Sequence, residues 1–157
     1  MLDERRRLDQ DRRDEVWQGE YHMVPGPHRR HGQLDHEVLF AVRPAARPAG
    51  LISAATPNIG GPDDFRVPDH AWFRADQAAA VFLPTAAVVV EIASPGDESW
   101  LKFDFYAGHG VDEVVIVDGE AGRLHWFVLR GGAYEAAERS ELLDLDVAVV
   151  QEAIDWS

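Results

Sequence analysis

The sequence predicts a mixed α/β domain: a central mixed β-sheet flanked by helices, with a β-hairpin near each end. Three observations lead to it. Residues 86–93 (Ala-Ala-Val-Val-Val-Glu-Ile-Ala) are a near-continuous apolar run of strand length, as expected for a strand buried on both faces. A helix-length segment, residues 97–108, separates this run from the next one, residues 111–117, so strands laid as a meander are followed by a crossover. Residues 31–43 place Leu34, Val38, Ala41 and Val42 at helical spacing.

The elements then follow in order. Residues 1–13 alternate charges around two leucines and read as a solvated helix or arm. Residues 14–157 read as one domain, since 157 residues suffice for one real core and are short for two. Residues 15–24 form a hairpin with Gly19 at its turn. The helix over 31–43 is ended by Pro44 and Pro48. A strand is expected over 51–56, then a loop over 57–64 rich in Gly and Pro. A second strand covers 65–73 and is interrupted by Pro68. The third strand, 86–93, stops at Ser94-Pro95-Gly96. The helix over 97–108 has Asp97 or Ser94 near its N-cap. A fourth strand over 111–117 leads to a late hairpin, 123–129 and 133–138, around Gly131-Gly132, and to a closing helix over 147–154.

Composition narrows the chemistry. Apolar residues make up 46%, ordinary for a globular protein, and no apolar run is long enough to span a bilayer. The charged N-terminus is followed by no apolar stretch, so no signal peptide is expected and a cytoplasmic setting fits. The absence of cysteine excludes disulfides, thiolate zinc sites and a thiol nucleophile. Net charge is −13, which opposes non-specific attraction to nucleic acid. The basic groups gather in the first third: residues 1–50 carry 9 Arg against 9 acids, residues 51–157 only 5 Arg and 1 Lys against 19. That single lysine is Lys102.

Three residues stand out. Glu91 interrupts the apolar strand, where an ionised carboxylate costs several kcal/mol unless a cation or hydrogen-bond donors meet it. It is either a metal ligand or general base, or a glutamate near the strand end that pairs with an arginine or reaches solvent. Asp69 follows Pro68 at the end of one candidate strand. It is either a turn aspartate or, with Glu91 on the next strand, half of a carboxylate pair. Adjacent antiparallel strands can bring the two together, and two carboxylates plus waters suit Mg²⁺ or Mn²⁺. Lys102 lies among Trp100, Leu101, Phe103, Phe105 and Tyr106. It either snorkels to the surface or orients a nucleophilic water and offsets charge on a phosphorane-like transition state.

The Val67-Pro68-Asp69 turn, the Val90-Glu91-Ile92-Ala93-Ser94-Pro95 strand end and the ordered set Lys102, Tyr106, Gly110-Val111-Asp112-Glu113 and Val117-Asp118 resemble the Uma family of restriction endonucleases, a branch of the PD-(D/E)XK nuclease superfamily. Glu15-Val16-Trp17-Gln18-Gly19-Glu20 and His31 match that family's opening hairpin and helix start. The resemblance covers roughly residues 14–130. It implies a restriction-endonuclease-like core, Asp69 as the Pro-Asp carboxylate and Glu91 as the acid of the (D/E)XK element. Ala93 stands where the superfamily's lysine would be, and the resemblance implies that Lys102, on the following helix, has taken that place. Glu15 and His31 are expected to line the same cleft.

Two functions follow. One is a metal-dependent endonuclease acting on nucleic acid, expected to be DNA. Asp69 and Glu91 would hold Mg²⁺ or Mn²⁺, Lys102 would position water, and Arg29, Arg30, Arg43 and Arg47 would contact the phosphate backbone. A homodimer would suit duplex cleavage. The other is a nuclease-fold module without cleavage that binds nucleic acid or a protein partner, favoured by the acidic total and by Ala93. His28, His31 and His36 are not spaced as a zinc set on one helix face. Ser53, Ser94 and Ser99 have no nucleophile-elbow context, and no P-loop or dinucleotide fingerprint occurs.

Overall fold

A computed structural model of the chain describes residues 2–94, 96 and 98–157. It opens with α1 (Leu2–Arg7), a hairpin of β1 (Glu15–Trp17) and β2 (Glu20–His22), and α2 (Arg29–Ala46). Next come β3 (Leu51–Ala55), β4 (Asn58–Gly61), β5 (Asp64–Arg66), β6 (His70–Arg74), β7 (Phe82–Leu83) and β8 (Val88–Ala93). A 3₁₀ turn (Ser99–Lys102) runs into α3 (Phe103–Gly108), followed by β9 (Glu113–Asp118), β10 (Arg123–Arg130) and β11 (Ala133–Ala136). The chain closes with β12 (Arg139–Ser140), β13 (Leu145–Asp146) and α4 (Val147–Ala153).

The central sheet has six strands in the order β11-β10-β9-β8-β6-β3. Within this sheet β8 and β9 pair in parallel, joined by the crossover through α3, and the other neighbours are antiparallel. Alternation along β8 sends Val88, Val90 and Ile92 into one core with Leu34, Val38 and Val42 of α2 and Val150 of α4. Val89 faces the other core, with Ile116 of β9, Tyr106 of α3 and Ile59 of β4. Glu91 shares the face of Val89 and is the polar exception there. Of the described residues, no helix is long and apolar enough to cross a membrane.

Several expectations are corrected. The helix expected over 31–43 begins at Arg29 and carries Pro44 inside its last turn. Pro44 removes one N–H, but the carbonyl it frees belongs to Phe40, which is exposed and open to water. The expected strand over 65–73 is two strands in two sheets. Its first half, β5, belongs to a five-stranded sheet, β2-β1-β5-β4-β7, and its second half, β6, to the central one. The loop expected over 57–64 contains β4 and the turn into β5. The helix expected over 97–108 starts as a 3₁₀ turn at Ser99, and no side chain caps it at Glu98. Asp97, one of the two expected caps, lies outside the described residues.

The break between β5 and β6 builds the site. Pro68 has no N–H for a ladder, and the Val67 N–H donates sideways to Glu15 Oε1 at 2.7 Å. The chain therefore leaves one sheet at Arg66 and enters the other at His70, with Asp69 at the junction. The Asp69 carbonyl accepts the Thr56 N–H at 3.0 Å, which fixes that corner.

Candidate active site

A cleft of about 920 Å³ opens where the first hairpin, the start of α2 and the end of β8 meet; Arg13, Glu15, His31, Asp69, Glu91 and Lys102 are among the residues that line it. The pairing of His70 with Val90, continued by one residue, sets Asp69 opposite Glu91 on neighbouring antiparallel strands. Asp69 Oδ2 accepts the Ile92 N–H at 2.7 Å. Its Oδ1 accepts from His31 Nε2 at 2.7 Å and is ion-paired with the Arg13 guanidinium.

Lys102 points inward. It is the last residue of the 3₁₀ turn and only 8% exposed. Its ammonium donates to Glu15 Oε1 at 2.8 Å and lies 3.1 Å from Glu91 Oε1 and 3.2 Å from Glu91 Oε2. Four residues on, on the same helical face, the Tyr106 hydroxyl donates to Glu91 Oε1. Glu15 completes the bridge: its Oε1 also takes the Val67 N–H, and its Oε2 takes Trp17 Nε1 at 2.7 Å. Trp17 is held in turn by Arg66, whose guanidinium is sandwiched 4.3 Å from the Trp17 ring and 4.1 Å from that of Phe105.

The electrostatics follow from burial and pairing. Burial pushes the Glu91 carboxyl up from its ordinary range, and Lys102 only partly offsets this. Burial pulls the Lys102 ammonium down, but Glu91 and Glu15 more than compensate, so it is raised overall and stays protonated. Burial beside Glu91 raises Tyr106 well above its ordinary value, which keeps the hydroxyl a donor. Three carboxylates (Glu15, Asp69 and Glu91) thus face two permanent cations, Arg13 and Lys102. Among the described residues, no group of three or more His, Asp and Glu side chains is arranged to hold a metal ion.

The four arginines expected at the nucleic-acid backbone are scattered. Arg30 donates to the carbonyls of Gly119 and Trp156, both at 2.8 Å, and ties α2 to the C-terminal segment. Arg43 and Arg47 lie at the far end of α2, about 20 Å or more from its cleft end at 1.5 Å per residue. Arg29 is exposed at the start of α2, beside His28, which lines the cleft. Sequence reasoning missed Arg13, because its segment has the composition of a solvated arm. It also missed Tyr106 as a polar partner, although the four-residue spacing from Lys102 was a usable signal.

A central mixed sheet flanked by helices, with hairpins towards both ends, is consistent with a nuclease-like core. The chain belongs to the Uma2 family, described as "Putative restriction endonuclease", whose profile matches residues 2–156. Its fold is similar to the crystal structure of a "putative nuclease belonging to DUF820" from Anabaena variabilis, with a TM-score of 0.70 and 16% identity over 89% of this chain and 90% of that one. At that identity the likeness concerns the fold. A comparison with curated proteins gave no match.

Proposed function

We propose that this chain is a divalent-metal-dependent endonuclease that hydrolyses phosphodiester bonds in nucleic acid, DNA being the expected substrate. The observation that carries the reading is Lys102, the chain's only lysine, buried between Glu15 and Glu91 in the lining of a cleft that also holds Asp69. The chemistry of the donor set supports a hard divalent ion. Asp69 and Glu91 offer carboxylate oxygens, the site has one more carboxylate than cations, and Mg²⁺ characteristically keeps several waters and takes one or two carboxylates. Bound there, Mg²⁺ or Mn²⁺ supplies charge neutralisation at the phosphate and a more acidic water. Asp69 is oriented by the Ile92 N–H, and Glu91 by the Tyr106 hydroxyl. The Lys102 ammonium, held by Glu15, serves as a fixed positive charge beside the attacking water and the phosphoryl oxygens. Glu15 is a positioning residue for that amine, and His31 plays the same part for Asp69. Cleavage of both strands of a duplex fits two copies acting as a C₂ pair.

A second reading is a nuclease-fold binding module without cleavage, for nucleic acid or a protein partner. It is favoured by Ala93 in the lysine's usual place and by carboxylates that already have protein donors on every oxygen. Purified protein with plasmid and with single-stranded DNA, with Mg²⁺ or Mn²⁺ and with chelator, separates the two. Metal-dependent cleavage lost in Asp69→Ala and Lys102→Ala supports the enzyme. Equal cleavage by both variants would sink the proposed site, and binding without cleavage would favour the module.

A further inference from the structure

We propose that Arg13 and a divalent ion compete for Asp69 Oδ1, and that the displaced guanidinium turns to a nucleic-acid phosphate. The inference rests on the metal site proposed above and adds a role for a residue outside it.

Asp69 Oδ1 already accepts from His31 and is ion-paired with Arg13, and Oδ2 is taken by the Ile92 N–H. A carboxylate oxygen has two lone-pair positions, so an ion on Oδ1 must take one of them. His31 is on the first turn of α2, whose Leu34 and Val38 are locked in the core, so it gives way less readily. Arg13 lies outside any helix or strand, between α1 and β1. Among the described residues its buried Nε has no hydrogen-bond partner, and besides Asp69 its side chain meets the His31 ring at 3.4 Å. Burial lowers its pKa, while Glu91, Asp35 and Glu15 hold it in their field. A second cation arriving on the same carboxylate would repel it.

The backbone need not move for this exchange. The next residue, Asp14, is pinned by Arg5 at 2.6 Å, by the Tyr21 hydroxyl at 2.6 Å and by the Val24 N–H at 2.8 Å. A long side chain on a fixed backbone can swing within the cleft it already lines. Lys102 acts on the phosphate only from its fixed place between Glu15 and Glu91, so a cation free to swing onto a phosphate must come from another residue. A guanidinium also matches phosphate geometry with two parallel hydrogen bonds.

The test uses the full chain and measures two affinities. Mn²⁺ binding is followed by electron paramagnetic resonance of the free ion. Binding of a fluorescein-labelled DNA duplex is followed by anisotropy in Ca²⁺. Arg13→Ala and Arg13→Gln are expected to bind Mn²⁺ about tenfold more tightly than wild type, the scale of one charge-assisted hydrogen bond, and the duplex about tenfold more weakly. Arg13→Lys should stay near wild type for Mn²⁺, and Asp69→Ala should bind it worse than any. A general loss of structure would weaken both affinities, so the opposite signs are the signature. Unchanged or weaker Mn²⁺ binding by both neutral variants, with wild type binding through Asp69, would overturn the competition and leave the metal site standing. Unchanged duplex affinity would overturn the turn to phosphate. No Mn²⁺ binding by any variant would overturn this inference together with the metal site.

Discussion

Lys102 sits between two carboxylates that are almost wholly withdrawn from water, Glu15 at 2% exposure and Glu91 at 3%. An ion pair buried this deeply adds little net stability, yet removing one partner strands the other. Lys102→Ala should therefore cost about 3–5 kcal/mol in urea denaturation at neutral pH, well beyond a surface truncation. The cost should depend on pH in a defined direction. Burial raises the folded-state pKa of Glu91, and losing Lys102 removes the charge that holds it down. A carboxyl whose folded pKa exceeds its unfolded value is destabilising once pH rises through the folded value and harmless below the unfolded one, about 4.3. The gap between Lys102→Ala and wild type should thus be widest near neutrality and shrink as pH falls toward 4. A gap that stays constant across that range would mean Glu91 is not the stranded charge.

The strand β8 and the helix α2 were legible because their signals are local: an unbroken Val run in one, apolar residues at three- and four-residue spacing in the other. The strands β4 and β7, and the split between β5 and β6, were not. What defines them is non-local: Glu15 capping the Val67 N–H from 52 residues away, and β7 pairing in parallel with β4. The same contrast runs through the site. Glu91 betrayed itself by its apolar neighbours and Lys102 by being alone, whereas Arg13 depends on a fold that pins Asp14. That latch is testable as an element. Burial alone would push the Asp14 carboxyl up, but the bonds from Arg5, Tyr21 and Val24 outweigh it and hold it below its ordinary value. Its stabilisation is then fully present above the unfolded pKa of about 3.9 and fades as pH falls through the folded value. Asp14→Asn should lower the melting temperature at pH 7, for a loss of about 1–3 kcal/mol, and match wild type at strongly acid pH. A second element-scale prediction concerns Gly60 on β4, at φ +119°, where a Cβ would strike the Asp64 carbonyl and the Phe105 ring that stacks on Arg66. Gly60→Ala should destabilise the second sheet by about 2 kcal/mol or more, read by the denaturation midpoint.

Over the whole molecule, a net charge of −13 must be reconciled with the polyanionic substrate proposed above. Most of the basic side chains answer to acids of the chain itself. Arg5 pairs with Asp14, Arg12 with Asp9, Arg74 with Asp112, Arg130 with Glu141, and Arg139 with Asp144 and Asp146. The exposed pairs among these, unlike Arg5 with the buried Asp14, add little stability, but all of them cancel the positive field that a broad DNA-binding face needs. Affinity should then come from the cleft, where few cations are close: Arg13 within it, Lys102 held by its two carboxylates, and Arg29 at the rim. Each phosphate neutralised contributes about −0.9 to the slope of log affinity against log salt on duplex DNA. With Ca²⁺ held constant, the slope measured by anisotropy should be shallow, about −1 to −3. Removing Ca²⁺ should weaken binding more than a doubling of NaCl does, because on the proposed reading the divalent charge turns the acidic cleft toward a phosphate. A slope much steeper than that, insensitive to Ca²⁺, would place the nucleic acid on another face of the molecule and separate binding from the Asp69, Glu91 and Lys102 cleft.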